Sequence, residues 1–189
     1  EMRGEARPVR RIRERMMSGV TLPELMVVLA VVAILAAMAL PCLAGLAGRS
    51  SLERQAYLII SHLTMARDMA VKRQEPWCVV FLPDRCAWYC HADPNRNHRA
   101  DPGEASLGPY RLPQGLVFGS RSASGPNGTK VPADGVSLAD NRVSFSPMGT
   151  CNAGTVYLRS RGSERALRIM PASGTVVVYE RTGAWRVVR

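Results

Sequence analysis

The chain has 189 residues and a net charge of +10 at pH 7, and all but two of its 25 basic residues are arginine. Once a leader and a membrane segment are set aside, the length leaves room for one domain of ordinary size and excludes a multidomain architecture. The charge suits an anionic partner, either nucleic acid or phospholipid, and a solvated basic surface is the alternative explanation.

The first predicted element is a basic leader, residues 1–19. It holds six arginines and three glutamates and ends in Ser18-Gly19. Clustered arginines hold a segment on the cytoplasmic side of a membrane and place the far end of the following helix outside. The leader therefore predicts a single-pass protein with a cytoplasmic N-terminus.

The second predicted element is an apolar helix, residues 20–48. From Leu25 to Gly48 there is no charged residue. At ~1.5 Å per residue this stretch would measure roughly 36 Å, enough to cross a hydrocarbon core of about 30 Å. Glu24 stands at its edge, where a carboxylate is costly unless it finds a partner, so Glu24 is a candidate functional residue. A secretory signal ending near Ala37-Met38-Ala39 is the alternative, but the apolar run is long for one.

The third predicted element, residues 49–76, continues the helix in amphipathic form. Pro41, which lies ahead of this element, should bend the long helix. Pro76 should end the helix. Apolar residues recur at helical spacing and predict a face that packs on a globular head; they are Leu52, Ala56, Ile59, Ile60, Leu63, Ala66 and Ala70.

The fourth predicted element is a globular head, residues 77–189, which is expected to be rich in β-structure and to begin with a hairpin over 77–92.

In the hairpin, two apolar runs, 78–82 and 86–90, flank Pro83-Asp84-Arg85. With that three-residue loop Cys78 would face Cys90, which makes a disulfide between them plausible and leaves Cys86 and Cys151 as a second pair. A register slip of one residue would destroy this pairing. The chain has no Cys-x-x-Cys spacing, which lowers the zinc and redox interpretations.

Two loops follow, a polar one over 91–109 and a second over 119–142 that is rich in Gly, Ser and Pro and is expected to be mobile. A short strand over 116–118 lies between them. In the first loop, oxygen-bearing side chains fall at positions 1, 3, 5, 9 and 12 of a calcium loop, namely Asp93, Asn95, Asn97, Asp101 and Glu104. His98 stands where the sharp turn needs glycine, so a loop of Asx turns is the alternative.

The remaining predicted strands cover 143–146, 155–158, 166–169, 175–179 and 184–188. Arginines are concentrated here, with Tyr157, Tyr179 and Trp185 nearby. Such a surface could track phosphates and stack bases, or it could be a solvated edge that discourages aggregation. The candidate DNA-binding residues are Arg159, Arg161, Arg181, Arg186 and Arg189.

Ser18-Gly19-Val20-Thr21-Leu22-Pro23-Glu24, followed by an apolar helix containing Pro41, resembles the processing site of type IV prepilins and type II secretion pseudopilins. Val20 departs from the Phe or Met usual in that family. Further motifs resemble the GspH/FimT group of minor pseudopilins: Ala66 to Pro76 ahead of a strand, the Asp-x-Asn loop up to Gly103-Glu104, Phe145 to Gly149, and Pro171 to Gly174.

The resemblance implies an α+β, type IV pilin-like fold, with a long N-terminal helix packed on an antiparallel β-sheet head. It implies cleavage by prepilin peptidase after Gly19, N-methylation of Val20, and a Glu24 that attracts the N-terminal amine of a neighbouring subunit. Partners would be other pilins, the peptidase, inner-membrane lipid and, in some relatives, DNA. The head would lie in the periplasm, and after assembly at the tip of a pilus or pseudopilus.

The predicted function is therefore that of a structural subunit that helps to initiate or cap a filament. The alternative is a pilus-tip module that binds DNA during uptake. We predict no enzymatic activity and no cofactor, because His62, His91 and His98 belong to no recognisable Ser/His/Asp set, and the sequence has neither a P-loop nor zinc-ligand spacing.

Overall fold

The computed structural model describes residues 21–188, without the side chains of residues 39–49 and 127. Gly19, Val20 and Arg189 therefore lie outside the described residues, and the predictions made for them stay predictions. The chain divides into two compact units, Glu1–Pro41 and Cys42–Arg189. The two units are described separately below.

Among the described residues a long helix, α1, runs from Leu22 to Arg73, close to the helix predicted over 20–48 and 49–76. Its C-terminus has a physical cause. Gln74 adopts a left-handed conformation with φ of 55°, and its side-chain amide donates to the carbonyl of Val71 at 2.8 Å, which satisfies one of the last helical carbonyls. Pro41 lies in the stretch without described side chains, and its predicted bend stays a prediction.

In the first unit, the described side chains of α1 from residue 22 to 38 are all exposed. They are apolar apart from Glu24. Within the described residues, no helix has both the length and the hydropathy needed to cross a membrane.

In the second unit, α1 buries one face. The residues on that face recur at intervals of three and four and are at most 1% exposed; they are Leu52, Ala56, Ile59, Leu63, Ala66 and Ala70. This spacing places them on one stripe of the helix, as the sequence predicts. The three alanines allow the helix backbone to approach the strands closely.

In the described part of the chain, nine strands follow α1: β1 (Trp77–Leu82), β2 (Ala87–Ala92), β3 (Ser106–Arg111), β4 (Val117–Phe118), β5 (Arg142–Phe145), β6 (Gly154–Arg159), β7 (Glu164–Ile169), β8 (Val176–Thr182) and β9 (Ala184–Val187). They form two antiparallel sheets. The first has the order β3-β2-β1-β5 and the second the order β4-β6-β7-β8-β9. The predicted α+β class is confirmed, with two sheets in place of one.

Strand β3 is absent from the sequence prediction, which assigned its first four residues, 106–109, to the loop 91–109. Its residues include Gly108-Pro109, and both residue types are unfavourable in a strand interior. The strand pairs with β2 alone and lies at the edge of the first sheet, where proline is tolerated because one side needs no ladder hydrogen bonds.

The core of the second unit lies where the buried stripe of α1 meets the inner faces of both sheets. Trp77, Val79 and Phe81 of β1 and Trp88 of β2 contribute from the first sheet, and a further group contributes from the second, namely Val156, Leu158, Leu167 and Ile169. Burial of these large side chains is the main stabilising contribution, at about 1.5–3 kcal/mol for each one fully buried.

Three polar contacts also join α1 to the strands and their turns. Glu53 pairs with the buried Arg165 of β7 at 3.5 Å. The indole nitrogen of Trp88 donates to Nδ1 of His62 at 2.9 Å. Arg67 donates from Nε to the carbonyl of Gly149 at 3.3 Å. Because each contact has a directional geometry, the three together fix the position of the helix along the sheets.

Candidate functional site

The first candidate site is the exposed surface of α1 around Glu24. Glu24 lies in the first turn of the helix, where the free N–H groups favour a negative charge. Large apolar side chains surround it on every side of the helix: Leu22 is 73% exposed and Met26 is 63% exposed. Glu24 is thus a single carboxylate near the N-terminal end of a helical segment, residues 22–38, whose other side chains are apolar.

The second candidate site is the pair of predicted disulfides. The register of the β1–β2 hairpin differs from the one on which their pairing was based. Cys78 lies opposite His91, and Val79 lies opposite Cys90. The connection is longer by one residue than predicted, because Cys86 adopts a left-handed conformation with φ of 47° after a short 3-10 turn. Cys78 and Cys90 consequently lie on opposite faces of the sheet, and the predicted pairing between them is wrong.

Cys86 and Cys151, the second predicted pair, lie too far apart to form a disulfide. Cys86 directly precedes Ala87, which lies opposite Leu82 at the end of β1, whereas Cys151 forms a bridge with Phe145, which lies opposite Trp77 at the start of β1. At ~3.3 Å per residue the length of β1 separates them by roughly 16 Å, and cysteines whose Cα atoms are more than about 7 Å apart are not bridged. All four cysteines with described side chains are free: Cys78, Cys86, Cys90 and Cys151.

The third candidate site, the calcium loop, is not assembled by the structure. The amides of Asn95 and Asn97 both donate to Asp101, and the oxygens of the same two asparagines accept from backbone N–H groups two residues ahead. Glu104 accepts from the N–H of Asp101 at 3.0 Å. These contacts are the Asx turns that the sequence left as the alternative, so the five oxygen ligands do not converge.

Asp93 instead belongs to a buried polar cluster on the outer face of the first sheet, which we call the Asp93 cluster: Cys78, His91, Asp93 and His98. Nδ1 of His98 lies 3.0 Å from Oδ2 of Asp93, and Sγ of Cys78 lies 3.7 Å from the same oxygen. Cys78, His91 and Asp93 are fully buried. The loop that follows β2 covers this face, which explains the burial of polar groups on the side away from the hydrophobic core.

The thiol of Cys78 is not a nucleophile in this environment. Burial, together with the negative charge of Asp93, raises its pKa to about 11, and reactive cysteines have a lowered pKa and an exposed sulfur. Burial raises the pKa of Cys90 on the opposite face to about 12. Both groups are neutral thiols at neutral pH.

The structure separates the arginines of the predicted DNA-binding set. In the β8–β9 hairpin Arg181 lies opposite Trp185, and Arg186 lies opposite Glu180. Since adjacent strand residues point to opposite faces, Arg181 and Arg186 lie on opposite faces of the sheet. Arg159 is a register partner of Glu164, which also pairs with Arg181 at 3.6 Å. Arg161 is exposed at the end of β6, and the four described arginines are not gathered on one face.

A buried carboxylate, Glu164, is a structural site that the sequence reasoning missed. It accepts from Ser120 at 2.7 Å and from the backbone N–H of Arg121 at 3.0 Å. Burial alone would raise the pKa of Glu164, but these hydrogen bonds and the charge of Arg181 outweigh it and hold the pKa below its ordinary value. Glu164 thereby fastens the start of the loop that was expected to be mobile.

The comparisons with known proteins agree with the sequence motifs. The family model described as "Type II transport protein GspH" matches residues 55–175, and the model of the prokaryotic N-terminal methylation motif matches residues 15–40. No curated protein sequence matches the chain significantly.

Two solved structures are similar to the chain at low identity. The minor pseudopilin EpsH from the type 2 secretion system of Vibrio cholerae is 11% identical with a TM-score of 0.44, over 68% of this chain and 95% of the other. The type IV minor pilin FimU of Pseudomonas aeruginosa is 16% identical with a TM-score of 0.47, over 73% of this chain and 94% of the other.

The GspH match extends over most of the second unit, and the methylation motif covers the region of Gly19, Val20 and Glu24. The family predicted from the sequence is thus confirmed: the chain belongs to the GspH family, whose members are minor pseudopilins and pilins.

Proposed function

We propose that this chain is a minor subunit of a type II secretion pseudopilus or a type IV pilus, made as a membrane-anchored precursor and assembled through its N-terminal helix. The exposed apolar surface of α1 from Leu22 to Met38 is the observation that carries the proposal. A contiguous apolar surface of this kind marks a contact with lipid or with another protein.

Glu24 gives that surface a specific assembly contact. A carboxylate in an apolar environment is strongly penalised when it is alone and is stabilised when an opposite charge meets it. The positive group of the right size and position is the N-terminal amine of a neighbouring subunit, freed by cleavage after Gly19. Methylation of Val20 would keep that amine positively charged.

The leader supports the processing steps. The match to the methylation motif covers residues 15–40, and Gly19 is the residue after which prepilin peptidase would cut. Glycine has no side chain to obstruct the approach of an enzyme to the scissile backbone. Before assembly, inner-membrane lipid would cover the apolar helix, with the head in the periplasm; afterwards the head would lie at or near the filament tip.

The proposal is tested by replacing Glu24 with alanine in the full-length chain. We expect normal cleavage and a fall in filament incorporation of at least about tenfold, since breaking a desolvated charge pair costs roughly 2–5 kcal/mol. Incorporation is measured by immunoblotting of sheared filaments against the membrane fraction, and cleavage by the size of the membrane-bound protein.

Two variants make the result specific. Asp68→Ala removes an exposed carboxylate from the head-packed part of α1 and should leave incorporation unchanged. Gly19→Arg should leave an uncut precursor in the membrane. Normal incorporation of the Glu24→Ala protein would refute the assembly role, and normal maturation of the Gly19→Arg protein would refute the cleavage site.

A further inference from the structure

We propose that Cys78, Asp93 and His98 form a binding site for a divalent transition-metal ion of the zinc type. Their sulfur, carboxylate oxygen and imidazole nitrogen atoms all lie within 4.8 Å of one another. The three residues come from β1, the loop after β2 and a turn further along that loop, so the fold and not a local motif brings them together. The proposal is independent of the assembly function.

The ligand types fit zinc. Thiolate sulfur, imidazole nitrogen and carboxylate oxygen are its usual protein ligands, at about 2.3 Å for sulfur and about 2.0–2.1 Å for nitrogen and oxygen. Tetrahedral geometry with those bond lengths puts sulfur and oxygen about 3.5 Å apart, and nitrogen and oxygen about 3.3 Å apart. The observed separations are 3.7 Å and 3.0 Å, so small side-chain shifts would suffice.

The electrostatic balance also fits. A thiolate from Cys78 and the carboxylate of Asp93 would together neutralise a divalent ion, and His98 would bind through its neutral form. A buried site with no net charge avoids the large cost of burying an unpaired ion. Binding would release the thiol proton of Cys78 to solvent, so metal affinity should fall at acid pH.

The surroundings support the ligands and leave a coordination position open. The backbone N–H of His98 donates to Asp93 at 3.2 Å, and such second contacts orient metal ligands. A cleft of about 410 Å³, lined in part by Asp93, His98 and Ser144, opens beside the cluster. A fourth ligand, such as water, could reach the ion from this cleft.

His91 provides an independent sign of unused ligand capacity in the same layer. It lies opposite Cys78 on the same sheet face, and Nδ1 lies 2.8 Å from the carbonyl of Ala92. A carbonyl can only accept, so Nδ1 carries a proton, and in the neutral ring Nε2 then has a lone pair. Among the described residues this buried Nε2 has no hydrogen-bond partner, although buried polar atoms almost always have one.

The proposal is tested with the full-length chain, reduced and purified in detergent, and titrated with Co²⁺ as a spectroscopic substitute for Zn²⁺. We expect one equivalent of Co²⁺ to produce a thiolate-to-cobalt charge-transfer band, and Zn²⁺ to remove it. Cys78→Ser should abolish the band. His98→Ala, which truncates a side chain that is 41% exposed, should weaken Co²⁺ binding at least about tenfold.

Cys151→Ser is the matched control, because this thiol lines the same cleft without belonging to the three ligands. It should leave the band and the affinity unchanged. The proposal is overturned if the wild-type chain gives no band, if the band survives Cys78→Ser, or if Cys151→Ser removes it. Should Cys78→Ser fail to fold, unchanged affinity in His98→Ala would overturn it alone.

Discussion

The carboxylate of Glu164 is buried at the end of the second sheet, yet it stays charged because donors surround it. Ser120, Arg121 and Arg181 all contact it, and Arg121 also donates to the carbonyls of Ser160 and Arg161 at 2.7 Å. One residue thus joins β7, β8 and the loop after β4. Side-chain hydrogen bonds and ion pairs therefore hold the start of the loop after β4, where there is no regular secondary structure.

Replacing Glu164 with glutamine should lower the free energy of unfolding by about 1.5–3 kcal/mol, the usual contribution of a hydrogen bond to a charged group. Asp140→Asn, which breaks an exposed pair with Arg142, is the matched control and should cost less than about 1 kcal/mol. Urea unfolding at pH 7 measures both. An equal loss of unfolding free energy in the two variants would show that Glu164 contributes no more to stability than an exposed ion pair does.

The same carboxylate predicts a pH dependence. Its pKa is lower in the folded chain than the ordinary value of 4.5, so the unfolded state binds more protons as the pH falls below that value. The stabilising contribution is therefore complete above about pH 4.5 and is lost as the pH falls through the folded pKa. The Glu164→Gln protein should show a shallower loss of stability in acid than the wild type.

Sequence reasoning had no means of finding Glu164. In the sequence it stands in Arg161-Gly-Ser-Glu-Arg165, which resembles a charged turn, and its partner Arg121 is 43 residues away. The charged end of α1 was easier to recognise, because Glu24 stands directly before a long run without charged residues, and this contrast is visible locally. Long-range partners of single polar residues are set by topology, which one sequence does not display.

At the scale of elements, α1 was predictable and the first hairpin was not. The helical spacing from Leu52 to Ala70 extends over several turns and leaves one interpretation. The hairpin depends on whether Cys86 belongs to the loop or to the strand, and a left-handed cysteine has no sequence signature. That single conformation changes every cross-strand partner of β1 and β2.

The buried stripe of α1 predicts a contrast between neighbouring residues. Ile59 is fully buried and Leu58 is 38% exposed. Ile59→Ala should lower the free energy of unfolding by about 2–5 kcal/mol, whereas Leu58→Ala should cost much less because it leaves no cavity. Chemical denaturation of the full-length chain in detergent measures both, and similar losses would contradict the burial of this face.

For the molecule as a whole, the absence of disulfides among the described cysteines means that stability rests on packing. The two sheets and the helix face form one continuous core of large apolar side chains. The even number of cysteines in the head suggested covalent bridges instead, and the strand register overturns that expectation. A cysteine count limits the possible pairings but says nothing of which faces the side chains occupy.

The thermal midpoint of the full-length chain should accordingly be the same with and without reductant. Alkylation of the denatured, unreduced protein followed by mass spectrometry should label Cys78, Cys86, Cys90 and Cys151. A midpoint that falls by several degrees on reduction would show that a disulfide stabilises the head.

The three polar contacts of α1 have a mechanical consequence. Glu53, His62 and Arg67 contact the strands and turns at three separate positions along the helix. A slip of one helical turn, about 5.4 Å, would break all three at once. A force along the helix axis is therefore distributed over all three contacts. We expect the strands to move together with the helix when such a force acts on α1.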